Sequence, residues 1–245
     1  MIIEQVSKKF TKRTNKADSI KSLFVGFLLK GMRETSEDFW ALRDVSMTIN
    51  PGECVGLIGP NGAGKSTLLY LIAGTMDPTE GRIHVNGSIA PMIEIGLGFH
   101  DELTGRENVY LNASLYGLSR KEIDSIFPSI LAFSELADFM DSPILSYSSG
   151  MRARLAFSIA VNLDMDILLL DEVLAVGDER FQEKCIKEML DFKKRGKTII
   201  FVSHSMSKVK LICERVCLLD RGGEIVDGDP DEAIQAYKAL MKTPK

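Results

Sequence analysis

The sequence lacks any apolar segment long enough to cross a membrane. Its most suspicious run, Leu23–Leu29 (LFVGFLL), falls far short of the roughly 20 apolar residues that a spanning helix requires. No basic stretch followed by an apolar core and a cleavage site begins the chain, so we expect no signal peptide. The chain is therefore not expected to span a bilayer, although it could lie against one.

Metal and disulfide patterns are also missing. The four cysteines match no zinc spacing, and Cys213 and Cys217 lie four residues apart in an apolar stretch, which favours two small core residues. This cysteine usage fits a reducing, cytoplasmic location. The chain has neither internal repeats nor low-complexity linkers. Its 245 residues, 45% of them hydrophobic, suffice for one large α/β domain or two small ones.

Charge is distributed unevenly along the chain. The formal net charge is −4, yet residues 1–33 carry only Glu4 and Asp18 against a larger set of basic side chains. Such a segment could contact anionic lipid or nucleic acid, dock on a protein partner, or form a solvated basic face. Much of it belongs to a basic, partly apolar insertion expected over residues 11–40. The basic residues are Lys8, Lys9, Lys12, Arg13, Lys16, Lys21, Lys30 and Arg33.

Three short apolar runs, Cys54–Ile58, Ile167–Leu170 and Thr198–Val202, are typical of strands buried on both faces of a parallel sheet. Helical patterns separate them, which predicts a doubly wound α/β core. The stretch from approximately 100 to 160 is predicted to be a helical subdomain instead.

Cap and turn signals mark several other elements. Thr104–Glu107 and Ser119–Glu122 match the capping box, in which side chains satisfy the free N–H groups of a helix start. Arg221–Gly223 predicts a hairpin turn, and Asp229–Pro230 predicts the start of a last helix. A short strand, MIIEQVS, is predicted at the start of the chain.

The stretch Gly59–Ser66 (GPNGAGKS) carries the strongest chemical signal. It fits G-x-x-x-x-G-K-[ST], directly follows the Cys54–Ile58 strand and precedes a helical pattern. Its glycines let several backbone N–H groups face one phosphate chain, and the following helix adds its positive end. Lys65 is expected to reach the β- and γ-phosphates, and the Ser66 hydroxyl to ligate Mg²⁺.

Polar residues follow two of the buried strands. Asp171 and Glu172 end the apolar run ILLL, and His204 follows TIIFVS. Ligands bind at the carboxyl ends of strands in open parallel sheets. We therefore expect Asp171 to hold Mg²⁺, Glu172 to polarise an attacking water, and His204 to contact the γ-phosphate.

The motifs GPNGAGKST, YSSGM, ILLLDEVLAVGD and FVSHS, in this order and spacing, resemble the ATPase subunit of an ABC transporter. The resemblance spans essentially the whole chain. It implies one ABC-type domain over residues 1–245, with a P-loop NTPase (RecA-like) core, a small antiparallel β subdomain and the helical signature subdomain. YSSGM and ELTGRENVYLNASLYG are similar to exporters of lipid-linked polysaccharides, namely O-antigen, teichoic acid or capsule. No separate C-terminal sugar-binding domain is expected.

The resemblance also implies which residues contact ATP and Mg²⁺. Phe10 holds the place of the family's aromatic residue that stacks on adenine, and Trp40 is its rival. Glu94 holds the place of the family's usual glutamine, which contacts Mg²⁺. The expected ATP-binding residues are Phe10, Gly59, Pro60, Asn61, Gly62, Ala63, Gly64, Lys65, Ser66 and Thr67.

A second copy of the chain is implied as well. In the family the serine-glycine signature and the D-loop act on the partner's nucleotide; here Ser148, Ser149, Gly150 and Asp178 take those places. The implied assembly is a homodimer with two polytopic membrane permease subunits, at the cytoplasmic face of a bacterial membrane. The implied cargo is a polysaccharide on a polyprenyl-pyrophosphate lipid, with ATP and Mg²⁺ as cofactors and no nucleic acid.

Three other interpretations compete with a polysaccharide exporter. The chain could serve another exporter, of lipids or drugs, or be a soluble ABC-type ATPase acting on DNA or ribosomes. The short interval between phosphate loop and signature has no heptads, and there is one ATPase domain, which disfavours the soluble classes. A non-catalytic scaffold is disfavoured by the complete set Lys65, Asp171, Glu172 and His204.

Overall fold

The computed structural model describes residues 1–14, 35–93, 98–171 and 178–242, in which helices pack around two β-sheets. The strands are β1 (Ile2–Thr14), β2 (Thr35–Thr48), β3 (Cys54–Ile58), β4 (Glu80–His84), β5 (Ile89–Met92), β6 (Ile167–Asp171), β7 (Thr198–Val202), β8 (Arg215–Asp220) and β9 (Gly223–Gly228). The α-helices among these residues are α1 (Lys65–Ile72), α2 (Gly105–Leu115), α3 (Arg120–Ser134), α4 (Ser149–Asn162), α5 (Glu179–Lys194), α6 (Met206–Ile212) and α7 (Pro230–Lys242). Single 3₁₀ turns cover Ala137–Phe139 and Ile144–Ser146.

The larger sheet forms the core and has the strand order β5-β6-β7-β3-β8-β9. Its first five strands are parallel, and β9 is antiparallel to β8. Every residue of β3 and β7 is buried, as their continuous apolar sequences predict. The predicted α/β core is confirmed. Because β6, β7 and β3 are neighbours, the loops that follow them meet at one edge of the sheet.

The smaller sheet is antiparallel, in the order β2-β1-β4. Strand β1 extends well beyond the short strand predicted at the start of the chain, and β2 begins at Thr35. Both strands therefore reach into the insertion expected over 11–40, whose central residues, 15–34, lie outside the described part. Far along the ladder, Phe10 is paired with Phe39.

Helices α2, α3 and α4 occupy the stretch predicted to be helical. Both predicted capping boxes are confirmed: the Thr104 and Ser119 hydroxyls accept from the N–H groups of Glu107 and Glu122, whose carboxylates accept in return. Phe133 of α3 stacks on Phe157 of α4, with ring centroids 5.8 Å apart. Buried residues of these helices and of β3, β6 and β7 belong to one apolar core.

The cysteines are core residues. The Cys54 and Cys213 sulfurs lie 3.8 Å apart, and Cys217 is fully buried, which confirms the prediction for Cys213 and Cys217. Burial raises the pKa of the Cys185 thiol to about 12. Within the described ranges, no helix combines the length and apolarity that crossing a bilayer would require.

Candidate functional site

The phosphate loop joins β3 to α1 and has glycine where no other residue fits. Gly59 has φ +148°, and a Cβ on it would lie 2.1 Å from the Leu219 carbonyl oxygen. Gly64 has φ +100°, and its Cβ would lie 2.5 Å from the Ala41 carbonyl oxygen. The loop is therefore pressed against β8 on one side and against β2 on the other.

The Lys65 side chain folds back over this loop. It is 7% exposed, and its Nζ donates to the carbonyl oxygens of Gly59 (2.9 Å) and Pro60 (3.0 Å). These contacts hold the ammonium at the mouth of the loop, where the N–H groups at the start of α1 also point. The Lys65 ammonium and the N–H groups of α1 therefore make the mouth of the loop electropositive.

Two residues that are distant in sequence meet beside the lysine. Ser66 lies in the first turn of α1, Asp171 ends β6, and the Ser66 hydroxyl donates to Asp171 Oδ2 at 2.7 Å. A hydroxyl and a carboxylate are hard oxygen donors, and Mg²⁺ commonly takes one or two such protein ligands beside phosphate oxygens and waters. The pair therefore fits a Mg²⁺ ion. Glu94, the third predicted ligand, lies outside the described residues.

Of the two remaining catalytic candidates, His204 and Glu172, the structure describes only His204. His204 follows β7, the strand between β6 and β3, and its exposed side chain lies at the same cavity as Lys65 and Asp171. Glu172, the predicted water-polarising residue, lies outside the described residues. The geometry of the described part therefore brings together Lys65, Ser66, Asp171 and His204.

A cavity of ≈ 610 Å³ opens above the phosphate loop. Among the predicted ATP-binding residues, only Gly59 and Pro60 do not line it, and their carbonyls accept from Lys65 instead. The cavity is lined by Phe10, Phe39, Ala41, Asn61, Gly62, Ala63, Gly64, Lys65, Ser66, Thr67, Ile93, Asp171, Val202 and His204.

The aromatic residues of this cavity differ in part from those expected. Phe10 lines it, as predicted, but its second aromatic is Phe39 and not Trp40. Successive side chains of a strand point to opposite faces, so Trp40 lies on the other face of β2, where Lys9 and Arg43 approach its ring. Trp40, the rival of Phe10 for the adenine contact, does not line the cavity, and Phe39 was not among the predicted site residues. The signal that could have found it was the alternation of β2 beside Phe10.

The serine-glycine signature begins α4, away from this cavity. The Ser148 hydroxyl caps the helix by accepting from the Met151 N–H at 3.2 Å, while Ser148 and Ser149 stay exposed. Neither serine nor Gly150 lines the cavity of its own chain. The preceding Tyr147 is buried and donates to the Phe139 carbonyl at 2.7 Å, which anchors the signature, and burial raises the pKa of its hydroxyl.

Asp178, the predicted D-loop residue, caps α5. Its carboxylate accepts from the Phe181 N–H at 2.8 Å and from Arg154 of α4 at 2.5 Å. The backbone hydrogen bond from Phe181, followed by the attraction of Arg154, lowers the pKa of this carboxyl. Asp178 does not line the cavity either. The signature helix and the start of α5 are therefore tied together within one chain.

A second ion pair fastens the other side of the signature. Arg152 of α4 donates to Asp101 at 2.6 Å, and the Asp101 carbonyl accepts from the Leu145 N–H at 2.9 Å. Asp101 lies in the segment that leads from β5 into α2. The signature is thus held from two sides before any partner is present.

Comparison with known proteins assigns the family. The family model described as "ABC transporter" matches residues 42–175. The O-antigen export system ATP-binding protein RfbB of Klebsiella pneumoniae is 52% identical over 87% of this chain and 85% of its own length. The teichoic acids export ATP-binding protein TagH of Listeria innocua is 43% identical over 98% of this chain and 70% of its own.

Solved structures agree on the fold. The ATP-binding cassette MJ0796, in a dimeric post-hydrolysis state with ADP and Pi, superposes with a TM-score of 0.75 at 23% identity, over 94% of this chain and 98% of that one. The structure described as the ATP-binding subunit of an ABC transporter gives a TM-score of 0.74 at 24% identity, covering 99% and 94%. The chain therefore belongs to the ABC transporter family and carries its ATPase domain.

Proposed function

We propose that this chain powers export of a polysaccharide carried on a polyprenyl-pyrophosphate lipid. The similarity to RfbB and TagH, whose names specify O-antigen and teichoic acid export, supports this cargo class. The chain would act at the cytoplasmic face of a bacterial membrane, bound to two permease subunits. O-antigen and wall teichoic acid are the leading cargo candidates.

The observation that carries the chemistry is the 2.7 Å contact between Ser66 and Asp171 beside the phosphate loop. These two oxygens would hold Mg²⁺, which when bound offsets phosphate charge. Lys65 would turn from the Gly59 and Pro60 carbonyls to the γ-phosphate. Hydrolysis of a phosphoryl bond depends mainly on such positioning and charge stabilisation.

Attack by water completes this half of the site. Glu172 would orient the water and accept its proton, and His204, at the cavity wall, would hold the γ-phosphate in place. The water oxygen bonds to the γ-phosphorus as the bond to the β–γ bridging oxygen breaks, which releases ADP and phosphate.

The other half would come from a second copy of the chain. Ser148, Ser149 and Gly150 begin a helix whose N–H groups and positive end suit a phosphate, yet they lie outside their own chain's cavity. Packed head to tail, each copy would set them, with Asp178 nearby, against the partner's γ-phosphate. ATP would then favour the closed dimer because it contacts both halves.

Hydrolysis would weaken that closure. Once the γ-phosphate is gone, the contacts that joined the two copies are lost and the dimer can part. The permease would convert this closing and opening into movement of the lipid-linked polymer.

Mixing two impaired variants tests the shared site. Lys65→Met removes the ammonium, and Ser148→Asp sets a carboxylate against the partner's nucleotide. In a mixed dimer, the loop of the Ser148→Asp chain faces the intact signature of the Lys65→Met chain. We therefore expect the mixture to hydrolyse ATP faster than either variant does alone. Absence of recovery at every mixing ratio would contradict a site shared between copies.

Depletion in cells tests the cargo. If the chain powers export of a lipid-linked polymer, its loss should cause that polymer to accumulate on its lipid carrier inside the cell. Lipid extraction and glycan analysis would identify it. An unchanged pool of lipid-linked glycans would contradict the proposed cargo while leaving the ATPase assignment intact.

A further inference from the structure

We propose that Phe39 is a second base-contacting residue, which together with Phe10 forms a two-ring platform that selects a purine by stacking. This inference rests on the proposed nucleotide site and adds to it a residue and a rule of substrate selection. The starting observation is that Phe39 leaves 57% of its surface exposed although it is a large apolar side chain. Phe10 is similarly exposed, at 39%.

The two rings share one face of the small sheet. Phe10 of β1 and Phe39 of β2 are directly paired across the antiparallel ladder, so their side chains project from the same face of the sheet. Both line the cavity above the phosphate loop. Two adjacent exposed rings at the wall of a ligand cavity form a surface for a flat apolar ligand.

Strand β2 connects this platform to the phosphate loop. The Ala41 carbonyl presses against Gly64, at the loop itself. Phe39 lies two residues earlier on the same strand face, about 7 Å away along the strand. A ribose can bridge that gap, which places the base of a loop-bound nucleotide at the rings.

Lys8 restricts how the base can approach. Its ammonium lies 5.4 Å from the centre of the Phe10 ring and donates to the Asp77 carbonyl at 2.7 Å. The cation therefore covers one face of Phe10, and the base would stack on the other. Phe39 would then contact the same base from the neighbouring strand.

The chemistry of this end of the cavity predicts what is selected. The lining residues that belong to the small sheet are Phe10, Phe39 and Ala41, and none of their side chains can hydrogen-bond to a base edge. Stacking strength depends on ring area, so a purine should be preferred to a pyrimidine. Adenine and guanine, which differ mainly at their edges, should be separated poorly.

Calorimetric titration with Mg²⁺ and four probes, ATP, GTP, UTP and inorganic tripolyphosphate, tests the platform. Phe39→Ala should weaken ATP binding by about 5- to 150-fold, the range for loss of one base–aromatic stack. Binding of tripolyphosphate, which has no base, should be unchanged. Wild type should bind ATP and GTP within a few-fold of each other and UTP more weakly.

Matched variants separate a base contact from a structural effect. Phe39→Tyr keeps the ring and should keep ATP affinity, and Phe139→Ala removes a ring of 48% exposure that does not line the cavity and should change nothing. Equal ATP affinity in Phe39→Ala and wild type would overturn the proposal. An equal loss for tripolyphosphate would also overturn it, because Phe39 would then merely support the loop. If wild type bound neither ATP nor tripolyphosphate, the nucleotide site itself would fail.

Discussion

The cavity above the phosphate loop and the signature region are both held by hydrogen bonds within the chain. They differ because the candidate catalytic side chains converge only at the cavity. Lys65, Ser66 and Asp171 converge from separate elements, with Ser66 and Asp171 joined at 2.7 Å. Ser148 caps the signature helix and is exposed together with Ser149, and neither serine lines this cavity. This exposed helix start is consistent with the proposal that it acts on a nucleotide bound by a second copy of the chain.

This difference separates two uses of local structure. Around the cavity, strand order decides the site, because the carboxyl ends of β6, β7 and β3 are neighbours. Around the signature, two ion pairs hold α4 in place, one between Arg152 and Asp101 and one between Arg154 and Asp178. The strand order brings the side chains of the cavity together, whereas the two ion pairs fix the orientation of the start of α4.

The largest expected effect comes from the cavity. Asp171→Asn removes the charge from the Ser66–Asp171 pair and should reduce ATP hydrolysis by about 100- to 1,000-fold, as loss of a preorganised electrostatic group does in other enzymes. Nucleotide binding measured without Mg²⁺ should change little. Asp164→Asn, at an exposed carboxylate paired with Lys197, is the matched control. Normal hydrolysis by Asp171→Asn would contradict the role of the pair.

The next effect should come from the signature. Ser148→Asp keeps a good helix cap but brings a carboxylate towards the partner's nucleotide, so hydrolysis should fall by about 10- to 100-fold through like-charge repulsion. Thermal stability should be retained. Ser148→Ala shows the opposite pattern: it loses the cap, which costs about 1 kcal/mol, and keeps more activity. Full activity of Ser148→Asp would reduce the stretch to a cap.

A smaller effect is expected from the ion pair that connects α4 to the start of α5. Arg154 is only 18% exposed in its side chain, pairs with Asp178 and lies over the Phe181 ring at 4.9 Å. Arg154→Gln should lower the melting temperature by about 1–3 °C, since partly exposed ion pairs contribute little. Hydrolysis should fall a few-fold with unchanged nucleotide affinity in the isolated chain. A lower affinity instead would place Arg154 with the cavity.

The smallest effect concerns the pH dependence of stability. The folded state lowers the pKa of Asp178, so the stabilisation is present above the ordinary carboxyl pKa and is lost as pH falls through the lowered value. Asp178→Asn keeps a cap without the charge. Its melting temperature should lie slightly below wild type at pH 5–7, with the gap closing below about pH 3.8. A gap that is independent of pH would mean the charge does not contribute.

Local patterns predicted most of the framework. The all-apolar runs Cys54–Ile58 and Thr198–Val202 became strands with those bounds, and both capping boxes formed at Thr104 and Ser119. These succeed because burial on two faces and helix capping depend on residues that are close in sequence. The fold class and the family followed from the same short motifs.

Residues that meet through the packing of separate elements were harder to predict. The family resemblance left Trp40 as a rival of Phe10 for the adenine contact, but the pairing of β1 with β2 puts Phe39, and not Trp40, at the cavity with Phe10, since one position on a strand exchanges its two faces. The ion pairs of Arg152 and Arg154 join residues 51 and 24 positions apart. No local pattern marks such partners.

The amino-acid sequence alone predicts a phosphate loop between a buried strand and a helix, a serine cap at Ser148, and acidic and imidazole groups that follow buried strands. Those features depend on short-range backbone geometry and on apolar periodicity. The packing of separate elements adds that the Ser66 hydroxyl donates directly to Asp171, and that Phe39, not Trp40, lies with Phe10 at the cavity. Strand order and register decide these, because they bring distant residues within a few ångströms of each other.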